Sequence, residues 1–366
     1  MGDDIAGRGG VDWLHASRSP AAPRIPLVKA ARWFGPRDVR IVEVEPRSPG
    51  PEEVALDVAY CGLCGSDLHE YADGPHAIPV DEPHPASGRT APLVLGHEFC
   101  GTVTAVGDRV GALRPGDRVA VEPSYRCGQC PRCRAGEYNL CRWFGFAGLM
   151  GDGGLAASAT VPAYMAHPLP TEVSLEQAAL FEPASVALHG LRRGAVVAHE
   201  ELVVVGLGPI GQFAVQLAAA RGVERIIGVD PLPGRRALAR ELGAGEVRAP
   251  DDPLDVGADV AVEAVGAQSA LDSCLAATRR GGRVVLLGLG GQLRFDGFAL
   301  VNHEQSILAS ASYRNAHEEL TALVRHGLDL TRVVTATIGL DEVVERGFER
   351  LTGATDEIKV LVDPRT

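Results

Sequence analysis

The chain has 366 residues, 46% of them hydrophobic and 22% charged, and a formal net charge of −12. Such a length exceeds one simple core and predicts two domains. The acidic balance, with no basic stripe, excludes a nucleic-acid partner, whose phosphates would demand one. No apolar run approaches the roughly 18 residues that a membrane span requires.

Residues 1–25, rich in Gly, Pro and Ala, read as a disordered leader without the hydrophobic stretch of a signal peptide. A cytoplasmic protein is expected. There, eight cysteines are more often metal ligands, catalytic groups or core residues than disulfides. The segment up to residue 172 carries short alternating runs, "EEVALDVAY", "CGTVTAVG" and "GDRVAVEP", broken at Gly and Pro, as irregular β structure does. From residue 173 the character changes. "SLEQAALFEPASVALHGL" has helical spacing. Then "ELVVVG", "PIGQFAVQLAAARG", "RIIGVD", "PGRRALARELGA", "DVAVEAVG", "AQSALDSCLAATRRGG", "RVVLLG" and "SILASA" alternate strand and helix. That alternation predicts a doubly wound parallel sheet, hence an α/β fold. Beyond residue 312, "HEELTALVRHG" and "LDEVVERGFERL" read as amphipathic helices and "EIKVLVD" as a last strand.

Chemistry enters first at "VVVGLGPIG". Gly206, Gly208 and Gly211 have G-x-G-x-x-G spacing after an apolar strand and before a helix, the context that gives the pattern meaning. Pro209 suits the first helical turn, where an N–H is expendable, and Ile210 completes the fingerprint. The free N–H groups and the helix dipole favour a pyrophosphate. Asp230 ends the next strand, about 20 residues on, where a carboxylate accepts ribose hydroxyls and repels a 2′-phosphate. NAD is therefore expected over NADP, with Arg235 and Arg236 close enough to soften the preference.

"CGQCPRCRAGEYNLC" places Cys127, Cys130, Cys133 and Cys141 at C-x2-C-x2-C-x7-C. Four thiolates satisfy a tetrahedral zinc with no open position, which makes the site structural. Four free cysteines and an iron–sulfur cluster, also held by four thiolates, are the rival readings.

"YCGLCGSDLHEY" contains Cys64, "LGHEFCG" contains His97 and Glu98, and "FEPASV" contains Glu182. None is informative alone. Together with the glycine fingerprint and the cysteine lobe they occur in the order of the zinc-dependent medium-chain dehydrogenase/reductase family, which the chain resembles over residues 27–364. Within that family, "CGLCGSDLHEYADGPHAIP", the "EPHP" insertion before "APLVLGHEF", "GLMGDGG", "VPAYMAHPLP" and "EPASVALHG" look most like the (R,R)-2,3-butanediol dehydrogenases.

The resemblance implies a GroES-like, β-rich catalytic domain of residues 26–172 and 313–366, and a Rossmann domain of residues 173–312. It implies two zinc ions per chain. The catalytic one would be held by Cys64, His97 and one carboxylate, with Glu98 and Glu182 both open as the direct ligand. One thiolate, one imidazole and one carboxylate leave a fourth position for a substrate oxygen, and the metal lowers the pKa of an alcohol. By resemblance Ser66 accepts the alcohol proton, the cofactor ribose passes it on, and His69 delivers it to solvent, histidine being the side chain that titrates nearest neutrality. Asp67 would orient a zinc-binding histidine, while Cys61 matches no family ligand and reads as structural. A homodimer or homotetramer is implied.

Two stretches depart from the family pattern. "RRGAVVAHEELVVVG" lacks the usual Gly-Asp turn, and "APDDPLDVGADVAVE" is short enough to lose a helix. The expected activity is NAD- and zinc-dependent oxidation of a vicinal secondary alcohol of the 2,3-butanediol/acetoin type. Polyol, aminocyclitol and threonine dehydrogenation are alternatives within the family. A non-catalytic NAD-binding relative is the alternative outside catalysis.

Overall fold

The computed structural model describes residues 26–353 and 355–366; the leader expected at residues 1–25 lies outside them. Among the described residues no helix is long and apolar enough to cross a membrane.

The first half builds a seven-stranded sheet. Its path runs Ala166–Pro168, Arg118–Val121, Glu98–Val106, Glu53–Gly62, Lys359–Asp363, Val334–Gly339, with Ser158–Pro162 also paired to Glu53–Gly62. Val54, Leu56 and Val58 on one face of Glu53–Gly62 are wholly buried and Ala55 and Ala59 on the other nearly so, while Asp57 is exposed, so the strand reads as a mostly apolar run rather than a strict alternation. The return of the C-terminus, which spacing left open, is visible here: Leu361 pairs with Gly62 and Val362 with Cys61. A hairpin of Val28–Gly35 and Asp38–Val44, joined by Leu93–Val94, forms a separate small sheet.

The second half is a six-stranded sheet in the order Glu246–Arg248, Arg225–Val229, Glu201–Val205, Ala258–Glu263, Thr278–Leu286, Ser306–Ala309. Every neighbouring pair in it is parallel. Parallel strands need crossovers, and the helices Pro209–Ala220, Pro233–Glu241, Gln268–Ala277 and Gly297–Asn302 supply them. Residues 249–257 form turns and loop without a helix, as the shortness of that stretch implied. Glu246–Arg248, too short to be read from sequence, closes one edge.

One apolar cluster joins the halves. Phe181, Ala184, Leu188 and Leu191 of the helix Phe181–Arg193 pack with Phe213 and Leu217 on one side and with Cys100 and Ala120 of the first sheet on the other. Tyr313, Leu320 and Val324 of the helix His317–Arg325 and its approach share this core. His317 itself is buried with both ring nitrogens unpaired. Its ring centroid lies 4.6 Å from that of His167 and 6.0 Å from that of Tyr313.

Burial, aided by His167 and opposed by Glu122, holds the His317 pKa down to about 3, against an ordinary 6.5. The folded state therefore binds this proton less readily than the unfolded chain. Its contribution to stability is complete above about pH 6.5 and is lost as pH falls toward 3. At pH 5 the loss from this residue amounts to about 2 kcal/mol. Thermal melts of wild type and His317→Leu should therefore show wild type losing ground to the variant between pH 7.5 and pH 5. A gap that does not move with pH would remove His317 from the acid sensitivity.

Candidate active site

The glycine loop leaves the strand Glu201–Val205 and enters the helix Pro209–Ala220. Gly206 has φ +94°, and a Cβ on Gly211 would sit 1.8 Å from the Gly206 carbonyl oxygen, so neither position admits a side chain. Gly208 meets nothing nearer than Arg235 Nη1 at 3.9 Å, leaving the backbone open to a phosphate at the start of a helix that carries Pro209 and the half-buried Ile210. Asp230 is buried at the end of the strand Arg225–Val229. Its Oδ2 accepts the Leu207 N–H and its Oδ1 the Leu232 N–H, each at 2.8 Å. The carboxylate is thus fixed against the loop, with lone pairs left for ribose hydroxyls. Arg235 Nη1 stands 3.9 Å from it, whereas Arg236 is spent on the carbonyls of Asp230 and Pro231. Sequence reasoning missed Gln212, which is wholly buried and donates to the carbonyls of Leu207 and Arg235, tying the loop to the next helix.

Among the described residues, two groups of Cys, His and acidic side chains bring their ligand atoms within 4.8 Å of one another. The first is Cys127, Cys130, Cys133 and Cys141. Backbone N–H groups point at these sulfurs: Cys130 N at Cys127, Cys133 N at Cys130, and Cys127 N and Trp143 N at Cys141. The N–H of Cys133 is the chief reason that the Cys130 thiol drops to about 6. A set of converging sulfurs with N–H donors behind them fits a zinc ion and leaves it no vacant position.

The second group is Cys64, His97 and Glu98. Cys64 precedes the helix Gly65–Asp73, and its N–H donates to Asp67 Oδ2 at 3.0 Å. The other Asp67 oxygen lies 3.4 Å from His97 Nδ1. One carboxylate therefore stands beside both donors and turns His97 Nε2, which faces Ser66 Oγ, toward the side where a metal would lie. Burial opposes charge on the His97 ring, but Asp67 and Cys64 beside it raise its pKa well above the usual value. Glu98 begins its strand fully buried. Both of its oxygens accept from Lys359 Nζ, at 2.9 and 2.7 Å, and that ammonium also donates to the Leu63 carbonyl. Lys359 is a second residue that sequence reasoning passed over. Its only signal was a lysine opening the final strand, directly before the apolar run Val360–Val362.

Glu182 lies buried in the first turn of its helix and outside this group. Burial pushes its carboxyl up to about 8, with His97 opposing and Glu98 adding to the rise. Ser66 is half-buried, and its Oγ lies 3.3 Å from His97 Nε2. His69 stands one turn further along the helix, exposed, with its ring centroid 6.3 Å from that of His76. Cys61 is wholly buried, outside both groups, its thiol driven far up by burial.

Residues 50–171 match the alcohol dehydrogenase GroES-like domain and residues 209–326 the zinc-binding dehydrogenase domain. The chain is 36% identical over 352 residues to the (R,R)-butanediol dehydrogenase of Bacillus subtilis, covering 92% of this chain and 100% of that one. The crystal structure of the 2R,3R-butanediol dehydrogenase from Bacillus subtilis superposes with a TM-score of 0.86 over 92% of this chain and 99% of that one. The sorbitol dehydrogenase of Bacillus subtilis is 32% identical over 351 residues, 92% of this chain and 97% of that one. A zinc-binding dehydrogenase from Sinorhizobium meliloti, solved bound to NADP, has a TM-score of 0.83 at 30% identity, over 92% of this chain and 99% of that one. With these matches and the GroES-like and Rossmann bodies described above, the chain belongs to the zinc-dependent medium-chain dehydrogenase/reductase family.

Proposed function

We propose that the protein oxidises a vicinal secondary alcohol of the 2,3-butanediol type with NAD, at a zinc site made by Cys64, His97 and Glu98. The observation that carries this is the convergence of one thiolate, one imidazole and one carboxylate from two chain segments, Cys64 and the consecutive His97 and Glu98, within 4.8 Å. This donor set suits a catalytic zinc with a position left open. Glu98 is the carboxylate of choice because it lies in the group and Glu182 does not. Zinc bound there supplies Lewis acidity toward the alcohol, and the nicotinamide accepts the hydride.

The chain's own residues do the rest. Asp67 holds Cys64 and His97 in place, and Lys359 keeps the buried Glu98 carboxylate neutralised until metal arrives. Ser66 Oγ is the hydroxyl next to the donors; it would accept the alcohol proton while giving its own hydroxyl proton to the cofactor ribose, which would hand it on toward His69. His69, exposed on the same helix, releases it to water. The reading includes the division into residues 26–172 with 313–366 around the metal and 173–312 around the nucleotide. It also includes a cytoplasmic location and a dimer or tetramer. The strand Ser306–Ala309 ends its sheet, and Leu289, Phe298 and Val301 nearby in sequence are 74%, 79% and 75% exposed, as a self-association face would be.

Purified protein should form NADH from butanediol stereoisomers faster than from sorbitol, inositols or threonine. Turnover of a polyol with none of butanediol would replace the substrate assignment. On the cofactor side, kcat/KM with NADP should fall well below that with NAD. Asp230→Ser should narrow the ratio by an order of magnitude or more, since it removes the charge that repels a 2′-phosphate. Equal use of both cofactors by wild type would end the role given to Asp230.

A further inference from the structure

We infer that residues 81–91 form a substrate-discrimination element that acts from outside the site, by holding Phe146, backed by Phe144, against His97. The inference rests on the alcohol-oxidation reading above and adds to it the residues that sense the alkyl groups.

The segment is a closed loop. His84 N donates to the Arg89 carbonyl at 2.9 Å and Gly88 N to the His84 carbonyl at 2.8 Å, while Ala91 N reaches Pro79 O at 2.8 Å. It is fastened to residues 144–152 at three points. His84 Nε2 lies 3.3 Å from the Phe144 carbonyl, which it reaches as a donor. The Ser87 hydroxyl donates to the Met150 carbonyl. Arg89 lies 3.4 Å from Asp152, whose other oxygen accepts the Val94 N–H at 3.0 Å. Burial lowers the His84 pKa, which keeps the ring neutral.

What this loop grips is the wall of the candidate site. Phe146, paired through its strand with Ser124, has its ring 5.6 Å from that of His97. Phe144 stands edge-on to Phe146 at 5.0 Å. The contact has no slack, for a Cβ on Gly145 would lie 2.6 Å from Met150 Sδ and 2.8 Å from His84 Cε1. Both rings remain partly exposed, as do Cys64 and Ser66. They therefore offer apolar surface beside a metal-ligand histidine, where the methyl groups of a secondary diol would lie. One methyl group in such a pocket is worth roughly ten- to two-hundredfold in kcat/KM, provided the wall stays in place. Phe144 and Phe146 form that wall; His84 and Ser87 are positioning residues.

The test compares kcat/KM for 2,3-butanediol and for 1,2-ethanediol, which lacks both methyl groups, in the zinc-loaded enzyme. Phe146→Ala should lower the ratio at least tenfold. His84→Ala and Ser87→Ala should lower it about fivefold or more through a raised KM for butanediol, with KM for NAD unchanged. Ser87→Thr, which keeps the hydroxyl, should restore it. In the Phe146→Ala background the two loop substitutions should add nothing further, since they act through that ring. Hydrogen exchange of amides 144–150 should quicken in the loop variants whatever their activity.

A ratio unmoved by both loop substitutions, losses that multiply in the Phe146→Ala background, or unchanged exchange would each overturn the inference. Wild type that oxidises no alcohol at all would overturn the functional reading and this inference with it, a result distinct from active enzyme with an unmoved ratio.

Discussion

Cys64→Ala and His97→Ala should each lower kcat/KM for a diol by about three orders of magnitude or more, with NAD binding intact. The size follows from what is removed. A metal that polarises the reacting oxygen contributes several kcal/mol to the transition state, and about 4 kcal/mol is a thousandfold in rate. The selectivity follows from the fold. Gly206, Gly208 and Asp230 follow strands of the parallel sheet and Gly211 lies in its first helix, whereas Cys64 and His97 lie on the first body, at a helix start and just before a strand. Zinc per chain should fall from two to one in both variants, because the four-cysteine group shares no residue with the second site. NADH titration by fluorescence and metal analysis of the same preparations check both halves. Wild-type turnover in either variant would mean that these donors hold no catalytic metal.

Lys359→Met should be the most destabilising single change near the site. The ammonium and the Glu98 carboxylate are both essentially without solvent contact, at 1% and 0% side-chain exposure. Removing one partner of such a pair strands a buried charge, at about 3–5 kcal/mol. Burial alone would lower the Lys359 pKa, but the Glu98 charge reverses this and raises it, which agrees with an intact ion pair. The loss should be larger after chelation than with zinc present, since a metal at Glu98 would itself neutralise the carboxylate. Adding Glu98→Gln to Lys359→Met should recover part of it, because no net charge then remains buried. Thermal melts of the two variants, with and without chelator, decide this. A single variant as stable as wild type in the chelated state would show that the pair is not what holds Glu98.

Much of this arrangement was legible in the residues. Motifs made of short-range spacing carried best. The cysteines from 127 to 141 must cluster because a fifteen-residue stretch turned by Gly128, Pro131 and Gly136 cannot take them far apart, and Gly206 and Gly211 sit where only glycine fits. Period-2 and period-3.6 patterning found the parallel sheet, apart from the three-residue strand Glu246–Arg248, which has too few positions to show a period. What the residues left open was long-range. Whether Glu98 or Glu182 stands with Cys64 and His97 depends on how a helix and a strand far apart in sequence meet. The pairing of Lys359 with Glu98 spans 261 residues. The π-type turn at Val343–Glu349 likewise replaces part of the regular helix that its amphipathic pattern implied. Spacing says nothing about such contacts, because packing between distant segments determines them.

The most direct measurement is a zinc-edge anomalous difference map of crystals grown with NAD. Two peaks per chain are predicted: one inside the sulfurs of Cys127, Cys130, Cys133 and Cys141, the other touching Cys64 Sγ, His97 Nε2 and a Glu98 oxygen, with a coordination position not filled by protein. A map with the four-cysteine peak alone, or with the second ion enclosed by four protein donors, would contradict the account.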